Sequence, residues 1–298
     1  MPSRPTTQIP TIYHRRIGDI VVTALSDGAI ERTHEMMRDV PEDEGRRHLD
    51  KAFRDRFLLS INAFLIWAGD RLILVETGSG DYLGPEAGRL LANLGQAGVD
   101  PAAIDTILLT HMHPDHSAGL TDMKTGKANF PNAELLVHEN EPRHWFDAAA
   151  MARGTEREKK LMFQQAREQC APYRDWMVTF KAGEIAPGIT AIPCHGHTPG
   201  HSAFLIESAG ESLLIWGDTV HMPEVQVPRP EVTMVVDTDP AQAEASRRRI
   251  FDMAASERLL VTGMHLHYPG FGHVAVSYTH LRAHETKTRI SVCGVCMI

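Results

Sequence analysis

One short segment constrains the fold more than any other: His111-Met-His113-Pro-Asp115-His116 follows directly on the apolar stretch 104–110. That stretch predicts a buried strand, so four potential metal-binding side chains lie at the carboxyl end of a strand, where α/β sheets present their sites. Alternate residues of an extended backbone point to the same side, which groups His111 with His113 and turns Asp115 and His116 to an adjacent position. Imidazole and carboxylate ligands suit Zn²⁺ and similar first-row ions. The segment can therefore serve two metal ions.

The same residue types recur at the ends of later predicted strands. His197 lies in GHTPGH, Asp218 in WGD, and His265 in TGMHLHYPGFGH. A solvated loop that merely happens to hold three histidines and an aspartate would not predict this recurrence. We therefore expect a metal site that is assembled from distant segments of the chain.

Hydrophobic patterning predicts an α/β architecture in one layered domain over residues 1–275. The 298 residues exceed one average domain and fall short of two. Alternating or apolar runs predict strands at 18–28, on both sides of a hairpin within 61–78, and at 104–110, 134–138, 176–180, 189–193, 202–207, 212–216 and 258–262. Helical spacing predicts helices within 41–57, 85–96 and 139–169, and from Asp239-Pro240 to about residue 256.

Composition excludes several classes of partner. The net charge is −8 and no basic block occurs, which argues against a nucleic-acid ligand. No apolar run approaches the roughly 18 to 20 residues of a membrane helix, and the first residues lack a secretory apolar segment. Cys170 and Cys194 stand alone, which favours a reducing, cytoplasmic location. We expect a small-molecule substrate, and a homodimer stays open.

The last residues are predicted to be foreign to the domain. Residues 276–286, VSYTHLRAHET, resemble the translation of a common sequencing-library adapter. We therefore predict that 276–298 is a non-native tail and exclude it from fold reasoning, as a fusion scar would be excluded. The C-x-x-C spacing of Cys293 and Cys296, which elsewhere would suggest a zinc or redox site, is given no functional meaning for this reason.

Residues 18–275 resemble the metallo-β-lactamase superfamily of metallohydrolases. The likeness rests on HxHxDH at 111–116, followed by His197, Asp218 and His265 at strand ends. Within the superfamily, the stretch WGDTVHMPEVQVPRPEVTMVVDTDP at 216–240 and the ending HLHYPGFGH at 265–273 look most like the methyl parathion hydrolase branch. The resemblance implies an αββα sandwich, with two mixed sheets face to face and helices outside.

The resemblance also implies a dinuclear centre, with two Zn²⁺ or other divalent first-row ions. One metal would be held by His111, His113 and His197, the other by Asp115, His116 and His265, with Asp218 as the bridge. Paired metals lie about 3.5–4 Å apart and lower the pKa of bound water. A metal-bridging hydroxide would then cleave an ester-like bond, in a lactone or an aryl phosphotriester. Asp115 and Asp218 are the catalytic candidates, because Asp115 could steer the hydroxide and pass a proton to the leaving group.

Several rival functions remain, and an acyl-homoserine lactonase that quenches bacterial signalling is the foremost. A β-lactamase is disfavoured because Asp218 stands where the best-known zinc β-lactamases use a cysteine. A glyoxalase II-like thioesterase is disfavoured because no basic C-terminal helical region is visible, and a redox di-iron enzyme normally has an acidic residue in place of His113. A non-catalytic scaffold predicts lost ligands, whereas all seven positions are filled.

The other histidines are expected to play lesser roles. His221, three residues after Asp218, is a candidate for the substrate pocket, where related lactonases place a tyrosine. His195 and His201 are expected to pack the loop around His197 rather than to bind metal. The remaining histidines are predicted to support the site or the core (His267, His273) or to lie on the surface (His14, His34, His48, His138, His144).

Overall fold

Two seven-stranded sheets form the centre of the computed structural model, which describes residues 11–277 and 289–292. In chain order the strands are β1 (Ile12–Ile17), β2 (Ile20–Arg32), β3 (Phe57–Ala68), β4 (Arg71–Val75), β5 (Thr106–Leu108), β6 (Thr121–Asp122), β7 (Lys127–Ala128), β8 (Glu134–His138), β9 (Met177–Phe180), β10 (Gly183–Ala186), β11 (Ile189–Pro193), β12 (Ser202–Ser208), β13 (Glu211–Ile215), β14 (Leu260–Thr262), β15 (Gly272–Ser277) and β16 (Arg289–Val292). The first sheet has the order β1-β2-β3-β4-β5-β8-β9, and the second runs from β10 to β16 in sequence order. The small pair β6 and β7 lies outside both sheets.

Helices lie around the two sheets. They are α1 (Glu42–Lys51), α2 (Leu90–Gln96), α3 (Pro114–Ser117), α4 (Asn140–Trp145), α5 (Ala148–Arg153), α6 (Glu156–Glu158), α7 (Gln165–Cys170), α8 (Pro223–Gln226) and α9 (Pro240–Ser256). A π-helical stretch, Lys159–Gln164, joins α6 to α7. None of the helices in the described part of the chain combines the length and the apolar character that crossing a bilayer would need.

Three layers of apolar side chains hold the sheets and helices together. Between the sheets, Phe64 and Val75 of the first sheet pack with Phe204 and Ile215 of the second. The outer face of the first sheet buries side chains of α2, α5 and α7, and the outer face of the second buries α9 through Ile250 and its neighbours. Two sheets packed face to face with helices outside form the four-layer αββα sandwich that the resemblance implies.

Parallel strands bring the polar segments to one edge. In the first sheet β4, β5 and β8 run parallel, so their carboxyl ends lie side by side. In the second sheet β13 and β14 run parallel. The segments after β5, β13 and β14 carry His111, Asp218 and His265, and the sandwich places all three in one group.

Most predicted elements are confirmed. The strands that were missed within 11–277 are the edge strands β1 and β10, the short pair β6 and β7, and β15, which lies inside the second sheet. The hairpin is β3 and β4, with Gly69 at φ +65 in its turn, and Asp239 caps α9 by accepting from the Gln242 amide. β1 and β10 were not predicted. Each is the terminal strand of its sheet, so its side chains are largely uncovered and its sequence need not be apolar, as His14 and the two arginines of β1 show.

Gly196 is required by a close backbone approach next to His197. Its φ is +127, and a Cβ at this position would lie 2.1 Å from the backbone nitrogen of Ala243 in α9. We expect Gly196→Ala to lower the free energy of unfolding by about 3 kcal/mol or more, because neither backbone can yield cheaply. Gly210 is the matched control, since its φ is also positive but nothing lies within 4 Å of its Cβ position. Gly210→Ala should cost only about 1 kcal/mol, and equal losses in urea unfolding would contradict this reading.

The predicted tail is described only in part. β16 pairs antiparallel with β15, Val274 opposite Val292, whereas Cys293 and Cys296 lie outside the described residues. The division into a domain at 1–275 and a foreign tail at 276–298 therefore stays a prediction.

Candidate metal centre

The segment after β5 forms a tight turn at the sheet edge. His113 has an extended backbone, and Pro114 begins α3, which places Asp115 and His116 on the first turn of that helix. His111, His113 and His116 are buried, and Asp115 is partly exposed. The amide of Thr110 donates to Glu76 Oε1 at the end of β4. The turn is thus fixed to the neighbouring strand on one side and open to solvent only at Asp115.

The other candidates each have a partner that orients them. The Nδ1 atom of His197 lies 2.7 Å from Oδ1 of Asp237, and the Nδ1 atom of His265 lies 2.7 Å from the carbonyl oxygen of Ser60 in β3. These contacts occupy Nδ1 and direct Nε2 of both rings towards the centre of the cluster. The imidazoles are therefore held in the orientation that metal binding needs.

Asp218 lies at the middle of a ring of imidazoles. It follows β13 in the turn Gly217–Thr219 and is buried. Its Oδ2 atom is 3.0 Å from Nε2 of His221, 3.1 Å from that of His265, 3.2 Å from that of His116, 3.3 Å from that of His197 and 3.7 Å from that of His111. Side chains from widely separated parts of the chain thus converge on one carboxylate oxygen.

Four groups of three side chains in the described residues have ligand atoms within 4.8 Å of one another and could each hold a metal ion. They are His111, His113 and His197; His111, His116 and Asp218; Asp115, His116 and His265; and His197, Asp218 and His221. All seven residues that the sequence predicts as ligands are among them. The structure adds His221, whose ring stacks on that of His265 at a centroid distance of 5.0 Å.

Unpartnered polar atoms show that the residues fit a metal ion. Within residues 11–277 and 289–292, Oδ1 of Asp218 and both ring nitrogens of His116 are buried without a well-aligned hydrogen bond, although carboxylate oxygens lie 3.2 Å from Nε2 and 3.5 Å from Nδ1 of His116. The Nε2 atoms of His111 and His197 face each other at 3.2 Å. Buried polar groups are normally paired, and nitrogen and oxygen donors in this number are the ligands that zinc and similar ions prefer. Bound cations would satisfy these atoms together.

Comparison with known families shows to which family the chain belongs. The sequence model described as "Metallo-beta-lactamase superfamily" matches residues 56–265, a range that includes all seven candidate ligands. The chain belongs to the metallo-β-lactamase superfamily.

Relatives and solved structures agree with this assignment. A probable metallo-hydrolase of Mycobacterium tuberculosis is 25% identical over 218 residues, covering 63% of this chain and 68% of its own length. The solved hydrolase AbOPH, described as in the beta lactamase superfamily, is 32% identical with a TM-score of 0.89 and covers 98% of this chain and 100% of its own. The dizinc quorum-quenching lactonase AidC, solved with a product, is 24% identical with a TM-score of 0.87 and coverages of 97% and 99%. The protein is a metal-dependent hydrolase of this superfamily.

Burial sets the charge state of two histidines in this superfamily member. It lowers the pKa of His111 and of His113 well below the usual range for histidine, and neighbouring imidazoles add to the effect. Both rings are therefore neutral at ordinary pH. Neutral imidazole is the form that binds metal.

Carboxylates set the charge state of two others. Burial alone would lower the pKa of His197, but its contacts with Asp218 and Asp237 raise it to about 9. Burial also opposes protonation of His116, and Asp218 again outweighs it, so that the pKa of His116 is raised well above its usual range. In return, although burial would raise the pKa of Asp218, the surrounding imidazoles hold it well below its usual range. Positive charge is favoured at the centre of the cluster, and a bound dication supplies such charge.

Sequence reasoning missed two buried carboxylates beside the ligands. Glu76 follows β4, and its Oε2 atom lies 3.5 Å from Nδ1 of His116. Asp237, which contacts His197, lies in a loop before α9. Glu76 could have been found, because it ends a predicted strand at the same edge as the HMHPDH segment. Asp237 gave no signal, since no strand or motif relates it to His197.

The other histidines include confirmed expectations and errors, among them His273, which was expected to support the site or the core but is exposed on β15. His201 packs the loop as expected, since one ring nitrogen lies 2.9 Å from the carbonyl oxygen of Cys194 and the other accepts from the Asp218 amide. His14 is exposed, and His34, His48 and His144 are half-buried. The prediction that His138 lies on the surface is wrong. The residue is buried at the end of β8, and its ring packs against those of His195 and Phe180.

Asp237 should be needed for full metal affinity. In Asp237→Asn the side chain loses its charge and one of its two acceptor oxygens. Because Oδ1 contacts Nδ1 of His197 and Oδ2 accepts from the amide of Met234, the new NH₂ group must face one of these two partners, and the tautomer and orientation of the ring are less well fixed. We expect zinc affinity, measured by competition with a chelator, to fall about 10- to 100-fold. Asp239→Asn is the matched control two residues away, where the side chain only caps α9. Equal affinities of the two variants would show that Asp237 does not act through His197.

Proposed function

We propose that the protein is a dinuclear, zinc-dependent hydrolase that cleaves an ester-like bond in a lactone or an aryl phosphotriester. The observation that carries the proposal is the position of Asp218, whose single Oδ2 atom lies within 3.7 Å of five imidazole nitrogens. A bridging carboxylate in such a setting suits two cations that share ligands. In this proposal His111, His113 and His197 bind one ion, Asp115, His116 and His265 bind the other, and Asp218 binds both.

The bound ions would supply an acidified water molecule and a polarised substrate oxygen. The protein contributes the geometry. Burial of His111, His113 and His116 excludes bulk water from the centre, which strengthens every electrostatic interaction there. Oriented imidazoles also avoid rearrangement during the reaction.

Asp115 is proposed to handle the proton. It is the most exposed of the candidate ligands, with 19% of its side chain accessible, and its Oδ2 atom lies 3.5 Å from Nε2 of His265. A carboxylate in this position can both contact the centre and reach an entering substrate. It would orient the attacking water and pass a proton to the leaving group.

His221 is proposed to line the substrate side of the centre. Its Nε2 atom contacts Asp218, and within the described residues its Nδ1 atom is buried without a partner. Burial lowers the pKa of this ring to about 4, so the imidazole is neutral. A neutral ring with one nitrogen unpartnered can donate to, or accept from, a polar atom of the substrate.

The alternative is hydrolysis of N-acyl homoserine lactones. N-acyl homoserine lactonases of Bacillus thuringiensis are among the sequence relatives, at 23% identity over 181 residues, and this makes a lactone a candidate substrate. The likeness of 216–240 and 265–273 to the methyl parathion hydrolase branch favours a phosphotriester. Pocket walls rather than the fold decide between such substrates.

Metal analysis combined with a substrate panel tests the proposal. We expect purified, zinc-loaded protein to hold two equivalents of zinc and to hydrolyse N-hexanoyl homoserine lactone or methyl parathion, while a thioester and a cephalosporin are turned over poorly. The ratio of kcat/KM for the two favoured substrates then identifies the class. Fewer than two metal equivalents, or turnover confined to the thioester or the cephalosporin, would contradict the proposal.

A further inference from the structure

Glu141 is a carboxylate buried next to the candidate metal centre without contacting it. It lies on α4, directly after β8, and none of its surface is accessible to solvent. Neither the segments that carry the family resemblance in the sequence analysis nor the ligand set includes it. A charged side chain in such a place is costly to bury unless its oxygens are fully hydrogen-bonded.

Four hydrogen bonds satisfy both of its oxygens. Oε2 accepts from the backbone amide of Met112 at 2.9 Å and from the indole nitrogen of Trp145 at 2.7 Å. Oε1 accepts from the hydroxyl of Thr198 at 2.5 Å and from the backbone amide of Gly200 at 2.7 Å. Every neighbour is a donor, so although burial raises the pKa of Glu141, the arrangement suits the ionised carboxylate.

Three of the four donors, those of Met112, Thr198 and Gly200, belong to segments that carry the first group of candidate ligands. Met112 lies between His111 and His113, and Thr198 follows His197 directly. The indole ring of Trp145 packs edge-on against the ring of His113, with 5.5 Å between centroids. One carboxylate therefore connects the segment after β5 in the first sheet to the segment after β11 in the second.

The second group of candidate ligands has different supports. His116 faces Glu76, and His265 contacts the backbone of Ser60. Neither of these supports contacts Glu141. A disturbance at Glu141 should consequently reach the two halves of the centre unequally.

We propose that Glu141 is a positioning residue that sets the geometry of one half of the centre, the half formed by His111, His113 and His197. The inference rests on the proposed function, because it requires two bound ions. Its carboxylate holds the two ligand-bearing segments at the spacing that three imidazoles need to share an ion. Ligand supports of this kind commonly change metal affinity about 10- to 100-fold when they are lost.

Glu141→Gln tests the proposal, because the amide keeps the size of the side chain but turns an NH₂ group towards two donors. Apo protein is titrated with Co²⁺ against a chelator, and the visible absorption of bound Co²⁺ follows each binding step. We expect one of the two dissociation constants to rise about 10- to 100-fold and the other to change less than about twofold. In a His113→Ala background, which already lacks a ligand of the affected half, Glu141→Gln should leave the remaining step unchanged.

Two further variants keep the test decisive. Asp105→Asn is the control, since Asp105 accepts from Leu72 at the amino end of β5, opposite the centre; it should lower Tm without changing either constant. If Glu141→Gln does not fold, Thr198→Val removes only one donor and should weaken the same step about three- to tenfold. Equal weakening of both steps, or none, in a folded variant would overturn the inference alone. A wild-type protein that binds fewer than two ions would instead overturn the proposed function, and the inference with it.

Discussion

Replacing Asp218 by alanine is expected to lower kcat/KM by at least about 10³-fold, which corresponds to about 4 kcal/mol of transition-state stabilisation. The carboxylate is buried at the centre of five imidazoles, and no other acidic side chain among the described residues is within reach of all of them. Its loss removes both the bridge between the proposed ions and the negative charge that raises the pKa of His116 and His197. Steady-state kinetics on the favoured lactone or phosphotriester, with metal content measured on the same sample, checks this.

The comparison variant for Asp218→Ala is Asp122→Asn, in which an exposed carboxylate that only caps a turn is changed. It should retain wild-type kcat/KM. If Asp218→Ala keeps more than a tenth of the wild-type kcat/KM, the convergence of imidazoles on this residue has no catalytic meaning, and the proposed dinuclear chemistry fails.

Removing the metal is expected to lower Tm by roughly 10 °C. A ligand present at about a thousandfold excess over its Kd stabilises the folded state by about 4 kcal/mol, and in a chain of this size each kcal/mol shifts Tm by about 2–4 °C. The physical reason is that His116 and Asp218 are buried and that three of their polar atoms make no well-aligned hydrogen bond within the described residues. A bound cation would satisfy these atoms. Thermal unfolding before and after treatment with a chelator measures the effect.

Addition of Zn²⁺ to the treated protein should restore Tm, whereas Mg²⁺, which prefers oxygen ligands, should not. Asp239→Asn should show the same response as wild type, because its cap on α9 is remote from the ligand atoms. An unchanged Tm after verified metal removal would mean that the imidazole cluster is satisfied within the protein itself.

Sequence patterns predicted some strands with their correct bounds and missed others. Interior strands such as β8 and β11 were predicted with their observed bounds. The apolar run at 135–137 in β8 and the alternation of buried and half-buried residues along β11 both give a clear strand pattern. Edge strands such as β1 were missed, because such a strand pairs on one side only and its largely exposed side chains need not be apolar. His138 was predicted wrongly for a related reason. Its polarity suggested the surface, but the type of a residue at the end of a strand does not show whether another part of the protein packs against it.

The supporting carboxylates mark the limit of what the sequence could indicate. Glu76 stands at a predicted strand end and was within reach of the same reasoning that found His111. Asp237 and Glu141 are distant in sequence from the ligands whose segments they contact, 40 residues for the pair His197 and Asp237 and 57 for the pair Glu141 and Thr198. Spacing along one chain carries no information about such contacts.

The sequence by itself determined which side chains are chemically able to bind a metal and at which strand ends they stand, because a buried strand followed by histidine and aspartate is a local pattern. Tertiary structure alone decided that Asp218 lies among five imidazoles, that His221 joins them, and that Glu141 ties two ligand-bearing segments together. The reason is physical. Ligand types and strand periods are properties of neighbouring residues, whereas distances of 3 Å between residues of different sheets exist only once both sheets have packed on their common core.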